Sequence, residues 1–526
     1  MNMLNKVTRI MVFTVLCLVF LPGGSFASIK IFKSGEMPRV LGDKSAGIVL
    51  DLDAPDEAMA AQVAELVGSN TSTFGFVGAE GGSFEVSQKT RDNDMASVRL
   101  QQKYEGISVE GAEVIAVTDG QGRLESVNSA LVEVSGIDVK PVFAREYAVQ
   151  IAAEAADIKN PDVGQDRGDG LVIANPENGG PALVWQVSIR EAGDWSKAVR
   201  VQVVASGSDA GRVIKQVQIG RMVSAASVPV SIYDSSVTVV LPNPVYKGVQ
   251  VLKNGKKTLP GYILISDEAK SANTSFERVT DFYKNMFGYR SWDGKNVEVV
   301  ASVNVQRLGF LDLLGLKQNA AWMAPWKFFI FGAGGDQLGN FSGALDVVGH
   351  EFTHAVISST SNLAYEKQSG ALNEHFADVF GASIEYHYNK PAKPFHIGDT
   401  VLRGELAKKH EALRDMMNPH NGVAWQPENM REMPYQYKDE HCMPDNSNDN
   451  CGVHINCGIP GKAAALAISA VGWEPMYKVF YRVMTARLLA RSKFLDYKHQ
   501  MLEECAKSLR AQDCKAIEGA FEAVGI

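Results

Sequence analysis

The sequence predicts an α+β protein of several domains, in which strand-rich segments lead into a helical C-terminal half. Three observations carry this. The chain has 526 residues, too many for one ordinary domain. Apolar and polar residues alternate repeatedly before about residue 265, as in half-buried strands. From Leu345 onward the apolar spacing becomes helical. A hydrophobic share of 45% against 21% charged residues belongs to a globular chain able to bury substantial cores. The net charge of −8 offers no basic excess to neutralise phosphates, so nucleic acid is not an expected partner.

In chain order, Lys6 and Arg9 precede an apolar run from Ile10 to Leu21, followed by Pro22-Gly23-Gly24 and Ser25-Phe26-Ala27. This pattern predicts a secretory signal peptide over 1–27, cut after Ala27. The run is too short for a spanning helix, which needs about 20 apolar residues, so no stable membrane anchor is expected. Residues 28–222 hold no cluster of catalytic residue types. Strands are predicted around Val98–Leu100, Val114–Val117, Val184–Ile189 and Val199–Val203, with an Ala-rich helix over Glu146–Ala156 between them. Two small α+β modules fit this stretch. Ser224–Val230 is small and unpatterned, a linker that a protease could reach. Short strands run on to Ile265, a helix is predicted over Ser275–Phe287, and helical segments fill Pro475–Val524.

Loss of the signal would remove Cys17 and leave five cysteines. That odd count in an exported chain predicts two disulfides and one free thiol. Nearest neighbours pair Cys442 with Cys451 and Cys505 with Cys514, leaving Cys457 free; a Cys451–Cys457 bridge is the alternative.

The chemistry concentrates at His350-Glu351-Phe352-Thr353-His354. Residues four apart on a helix lie about 40° from each other around the axis, so both imidazoles can reach one small cation. Zn²⁺ suits imidazole nitrogen, and three protein ligands leave a fourth position for water. Glu351 sits where it can take a proton from that water. An apolar stripe of Leu345, Val348, Phe352, Ala355 and Val356 would bury the helix and leave the histidines on another face. The third ligand is expected to be Glu374, within Asn373-Glu374-His375-Phe376-Ala377-Asp378, with Asp378 one turn on to orient a ligand imidazole. His375 points about 100° away from Glu374 on a helix and reads as a bystander.

His350-Glu-x-x-His354 followed by Asn373-Glu374-x-x-x-Asp378 resembles the signature of thermolysin-like neutral metalloproteases. The resemblance implies a two-lobed catalytic unit: a β-rich lobe over 223–360 that includes the zinc helix, and a helical lobe over 361–526. It makes Asn319 and Ala320 members of a substrate-binding edge strand and Tyr365 and His454 oxyanion donors. Asp449 would orient His454, Asn373 would support the ligands alongside Asp378, and Arg414 would bind the substrate carbonyl. Leu338, Phe341, Val347 and Leu413 fall at primed-side pocket positions, so cleavage before bulky hydrophobic residues is implied. Asp346, Glu385 and Asp399 fall at calcium positions, but Pro394 and His396 stand where further ligands belong. A double calcium site is therefore not expected, and a single one stays open.

Residues 99–127 resemble a portion of the fungalysin/thermolysin propeptide module, and 145–220 resemble a PepSY-type module. Together they would make 28–222 a propeptide that assists folding and inhibits the enzyme. The expected protein is thus a secreted zinc endopeptidase made as an inactive precursor. It would act on protein or peptide substrates, be monomeric when mature, and lie outside the cell or in a periplasm. A binding protein on a decayed protease fold is the rival reading; it would be expected to lose Glu351 or His454, and both are present.

Overall fold

The structure is a computed structural model. It describes residues 17–19, 27–34, 37–41, 48–68, 82–91, 95–164, 169–175, 180–191, 194–218, 228–236, 249–259, 264–305, 318–324 and 326–526. The expected signal peptide lies outside these, apart from the backbone of Cys17–Val19 and Ala27, as does most of the linker at 224–230. Among the described residues no helix is long and apolar enough to cross a membrane.

The chain forms two compact units. The first comprises Met1–Tyr104 and Ala112–Glu133. Its helix Asp56–Gly68 turns Met59, Ala60, Val63 and Val67 onto Val98, Leu100, Val114, Ala116 and Val127 of the strands. The second comprises Glu105–Gly111 and Val134–Ile526.

The second unit opens with a helix, Arg145–Ala155, lying on strands Ala182–Glu191 and Asp194–Val204. Ala148, Ala152 and Ala153 meet Val187, Ile189, Val199, Val201 and Val203. Alanines on one face let the helix approach the sheet closely, as the alternating pattern of these strands requires.

A six-stranded sheet follows, in the order Lys256–Lys257, Val249–Lys253, Val230–Asp234, Val299–Val305, Phe328–Gly332, Ala320–Met323. The three strands Val230–Asp234, Val299–Val305 and Phe328–Gly332 run parallel. Ala320–Met323 is antiparallel to its one neighbour, with Trp322 opposite Phe329, and forms the edge. Helix Asp267–Phe287 covers the sheet with Phe276, Val279 and Phe282. It begins two turns before the expected Ser275, because its first turns carry only alanines as apolar markers, Ala269 and Ala272. Its start is set by Ser266, whose hydroxyl accepts from Ala269 N at 3.2 Å.

Helix Leu345–Ser359 then enters the middle of the unit. It is buried all round: every residue from Leu345 to Ile357 is buried, the histidines included. The expected split into an apolar face and a separate histidine face is replaced by a helix enclosed on every side. Helix Lys367–Asn389 crosses it at a pair of glycines. A Cβ on Gly381 would lie 2.5 Å from the Asp346 carbonyl oxygen, and one on Gly349 would lie 2.9 Å from Ile384 Cδ1. At its other end, a Cβ on Gly370 would lie 2.5 Å from Val453 Cγ1, beside His454. Helices Gly458–Val471, Trp473–Arg482, Phe494–Ser508 and Ala511–Ala523 complete the unit.

Gly381→Ala should therefore force the two helices apart, costing about 2 kcal/mol or more. A melting temperature within a degree of wild type, with zinc content unchanged, would contradict this close crossing.

Candidate active site

Among the described residues, His350, His354 and Glu374 form the one group of three or more metal-ligating side chains with ligand atoms within 4.8 Å of one another. Both histidines come from helix Leu345–Ser359 and the glutamate from the helix that crosses it. Glu374 has no exposed surface.

Each imidazole is fixed from behind. His350 Nδ1 lies 2.8 Å from Asp378 Oδ1, and His354 Nδ1 lies 2.7 Å from Asn373 Oδ1. Asn373 donates its amide N–H to the Leu363 carbonyl at 3.0 Å, so its oxygen must be the atom facing His354. Both Nδ1 atoms thus meet acceptors, which turns both Nε2 atoms toward each other, 2.9 Å apart. Glu374 adds its oxygens at 3.4 Å from His350 Nε2 and 3.3 Å from His354 Nε2. Two imidazole nitrogens and a carboxylate converging in a buried space favour a positive charge among them. The same charge shows at His350: burial pushes its pKa down, but Asp378 and Glu374 outweigh this and bring it to about 9. The donor set of two imidazoles and one carboxylate fits zinc.

Asp378 is itself held by Arg414, which donates Nε to Oδ2 at 2.8 Å and Nη2 to Oδ1 at 2.5 Å. The pair keeps the Asp378 carboxyl below its usual range despite burial, with the guanidinium the largest opposing influence. Arg414 thus faces the ligand shell through Asp378, and its Nη2 comes within 3.3 Å of His350 Nδ1.

Glu351 Oε2 accepts from the backbone N–H of Trp322, in the edge strand, at 2.8 Å, while Oε1 lies 4.0 Å from His350 Nε2. On the far side, Tyr365 donates its hydroxyl to Glu374 Oε1 and lies 3.0 Å from His454 Nε2. Asp449 accepts from the His454 backbone N–H at 2.9 Å and lies 2.6 Å from its Nδ1.

That aspartate sits in a rare turn. Asp449, Asn450, Cys451 and Gly452 all have positive φ, between 48° and 72°. Left-handed backbone costs an L-residue about 1–2 kcal/mol, so the surroundings must hold it. Asn448 Oδ1 accepts from Cys451 N at 2.9 Å, Asn450 N donates to the Asp445 carbonyl at 2.9 Å, and the Cys442–Cys451 disulfide ties the turn to the preceding loop. A Cβ at Gly452 would enter the Tyr437 ring at 2.5 Å.

Both disulfides follow the nearest-neighbour pairing, Cys442–Cys451 and Cys505–Cys514, and Cys457 is free and buried. Burial pushes its thiol well above the ordinary range, unsuited to a nucleophile. Instead, Gln426 donates to the His454 carbonyl at 2.7 Å and to Cys457 Sγ at 3.1 Å, behind the His454 ring. Sequence reasoning missed Gln426, the Trp322 N–H and the left-handed turn, because none has a side-chain signature tied to the zinc motif. His375 faces away, 2.9 Å from Tyr497 Oη, and burial lowers its pKa to about 3.

Of the pocket residues, Phe341 and Val347 are buried in the main core, and Leu338 and Leu413 lie half-buried against it. Ala320 is buried and Asn319 exposed at the start of the edge strand. Asp346 accepts from Gly398 N at 2.5 Å and Val347 N at 2.8 Å. Burial first, then the charges of Glu385 and Asp399, raise its pKa to about 7.

The profile described as thermolysin metallopeptidase, catalytic domain, matches residues 232–358. That of the thermolysin metallopeptidase alpha-helical domain matches 361–526. The fungalysin/thermolysin propeptide motif matches 82–131. Neutral protease NprE of Bacillus pumilus is 32% identical, over 58% of this chain and 98% of that protein. The chain belongs to the thermolysin metallopeptidase family. Bacillolysin of Bacillus amyloliquefaciens is 27% identical over 84% of this chain and 85% of its own. Thermolysin of Alicyclobacillus acidocaldarius is 26% identical over 96% of each. As a thermolysin-family member, the protein is a zinc-dependent metalloendopeptidase synthesised with a propeptide.

If the disulfide holds the turn beneath His454, the Cys442→Ser/Cys451→Ser variant of this thermolysin-family enzyme should keep its zinc and lose about tenfold in kcat. Unchanged kcat in a demonstrably reduced loop would remove that role from the disulfide.

Proposed function

We propose that Glu351 is the general base, that Tyr365 and His454 are the oxyanion donors, and that the enzyme cleaves internal peptide bonds before bulky hydrophobic residues. The convergence of two imidazole nitrogens and the Glu374 carboxylate beside Glu351 carries this reading. His350, His354 and Glu374 would hold zinc, which when bound polarises a carbonyl and lowers the pKa of water.

The chain's own groups do the rest. Glu351 takes a proton from the water whose oxygen attacks the carbonyl carbon, and delivers it to the leaving nitrogen as the C–N bond breaks. Its anchoring by Trp322 N–H keeps one oxygen fixed and the other toward the ligands. Tyr365 and His454 donate to the oxygen on which charge develops, and Asp449 accepts the Nδ1 proton of His454, which leaves Nε2 turned toward the site. The substrate binds as an added strand on Ala320–Met323, beside Asn319; that strand has no second strand partner among the described residues. Arg414 orients Asp378 and with it His350, and Asn373 does the same for His354. The apolar Leu338, Phe341, Val347 and Leu413 support the preference for a bulky residue after the cleaved bond.

Residues 28–222 act as the propeptide, its second module PepSY-like, folding the enzyme and keeping it latent until cleavage near 223–230. The leader at 1–27 and the two disulfides suit an exported enzyme, released outside the cell or into a periplasm and monomeric once mature. Asp346, Glu385 and Asp399 take at most one calcium ion. Asp346 holds Gly398, and the neighbouring pair His396–Ile397 forms a ladder with Arg414–Asp415, so an ion there would steady the Arg414 loop.

Glu351→Ala should lower the rate on an internally quenched peptide by about 10³-fold while zinc stays bound. Chelation should abolish wild-type activity, and zinc should restore it. Chelator-resistant cleavage surviving in Glu351→Ala would refute the assignment, and a preference for charged residues after the cut bond would refute the pocket. Separately, calcium at about 1 mM should raise the melting temperature by several degrees, and Asp346→Asn should remove the gain. No shift in the wild type would eliminate the ion.

A further inference from the structure

Where the pro-region meets the catalytic region inside the second unit, four charges alternate. Lys215, in strand Val213–Gln218, lies 3.3 Å from the carboxylate of Glu366. It also lies 3.8 Å from Glu110, and Glu110 in turn lies 3.7 Å from Arg491. The pro-region contributes an acid and a base, Glu110 and Lys215. The catalytic region supplies the complementary acid and base, Glu366 and Arg491. Burial would raise the Glu110 carboxyl, but Lys215, Arg491, Gln202 and Arg200 together hold it below its usual range.

The catalytic-region residues in this set flank the loop that carries Tyr365. Glu366 follows Tyr365 directly. Arg491 follows Ala490, whose carbonyl accepts from Ala364 N at 2.7 Å, on the other side of Tyr365. The two stretches of chain that pin Tyr365 in place are therefore the two that the pro-region touches. The approach is close: at Gly111, φ is +69°, which favours glycine, and a Cβ would lie 3.2 Å from Arg491 Nε. A second contact reaches the other catalytic element. Arg190, ion-paired with Asp162, places its guanidinium 4.9 Å from the Trp326 ring centroid, three residues past the edge strand.

Resting on the reading that the pro-region is inhibitory, we propose that it grips the Tyr365 loop through a charge latch, Glu366–Lys215–Glu110–Arg491, and that this latch maintains latency. The side chains keep 14% to 34% of their surface exposed, so salt weakens the contacts. Separation leaves each side with an acid and a base facing water, and no buried charge. The latch is thus built to open once the linker is cut.

The test uses the full chain, following its self-cleavage on a gel and its rate on an internally quenched peptide together. The intact Lys215→Glu chain should hydrolyse the peptide about fivefold faster than the intact wild type. It should also convert sooner. Its matured product should match wild type in kcat/KM, because position 215 leaves with the pro-region. The charge swap Lys215→Glu/Glu366→Lys should restore part of that latency, since position 215 then attracts position 366 but repels Glu110. Should Lys215→Glu fail to fold by its melting curve, Lys215→Gln and the wild type between about 0.05 and 0.5 M salt carry the same comparison. A Lys215→Glu chain as latent as wild type, or a swap that restores nothing, would overturn the latch alone. An intact wild type as fast as the matured enzyme would sink the inhibitory reading itself.

Discussion

The site depends on a steric constraint: helix Lys367–Asn389 lies on helix Leu345–Ser359 at a distance that only glycine allows. Gly349 and Gly381 meet there, and neither has room for a Cβ. The close crossing brings the Glu374 carboxylate within 3.4 Å of both imidazoles, and it puts Asn373 and Asp378 behind them. A third glycine, Gly370, lets the same helix lie against the segment carrying His454. One helix thus sets the positions of the metal ligands, their supports and the oxyanion side of the site.

The polar centre this creates is costly without its ion. Burying converging lone pairs and carboxylates away from water is unfavourable unless each is matched. Here each outward-facing nitrogen has a partner, in Asp378 with Arg414 and in Asn373 with the Leu363 carbonyl, and the inward-facing atoms converge on one another. The crossing of the two helices thus assembles the metal-ligating group.

Around that centre the supports differ in kind. Glu351 is held by a backbone N–H of the edge strand. His454 is held by a left-handed turn, tied down by a disulfide and two hydrogen bonds. Tyr365 is held by a short loop that borrows a backbone bond from Ala490. The chain segments at this loop are also the ones that Lys215 and Glu110 reach.

The sequence alone determined the zinc motif, its distal glutamate and the order of strand-rich and helical segments. Helical period and ligand chemistry are local properties, set by spacings of four residues. Nearest-neighbour spacing also named both disulfides, Cys442–Cys451 and Cys505–Cys514, but left a Cys451–Cys457 bridge open, and tertiary structure decided this by burying Cys457 as a free thiol. The first turns of helix Asp267–Phe287 were not legible, because alanine marks no face. Nor was the full burial of the zinc helix, which depends on what packs around it rather than on its own stripe. Tertiary structure alone decided that Trp322 N–H meets Glu351, that Gln426 backs His454, and that Lys215 meets Glu366, 151 residues away. Such contacts join distant segments of the chain through backbone groups or common polar side chains, whose partners are chosen by packing and leave no periodic trace in the sequence.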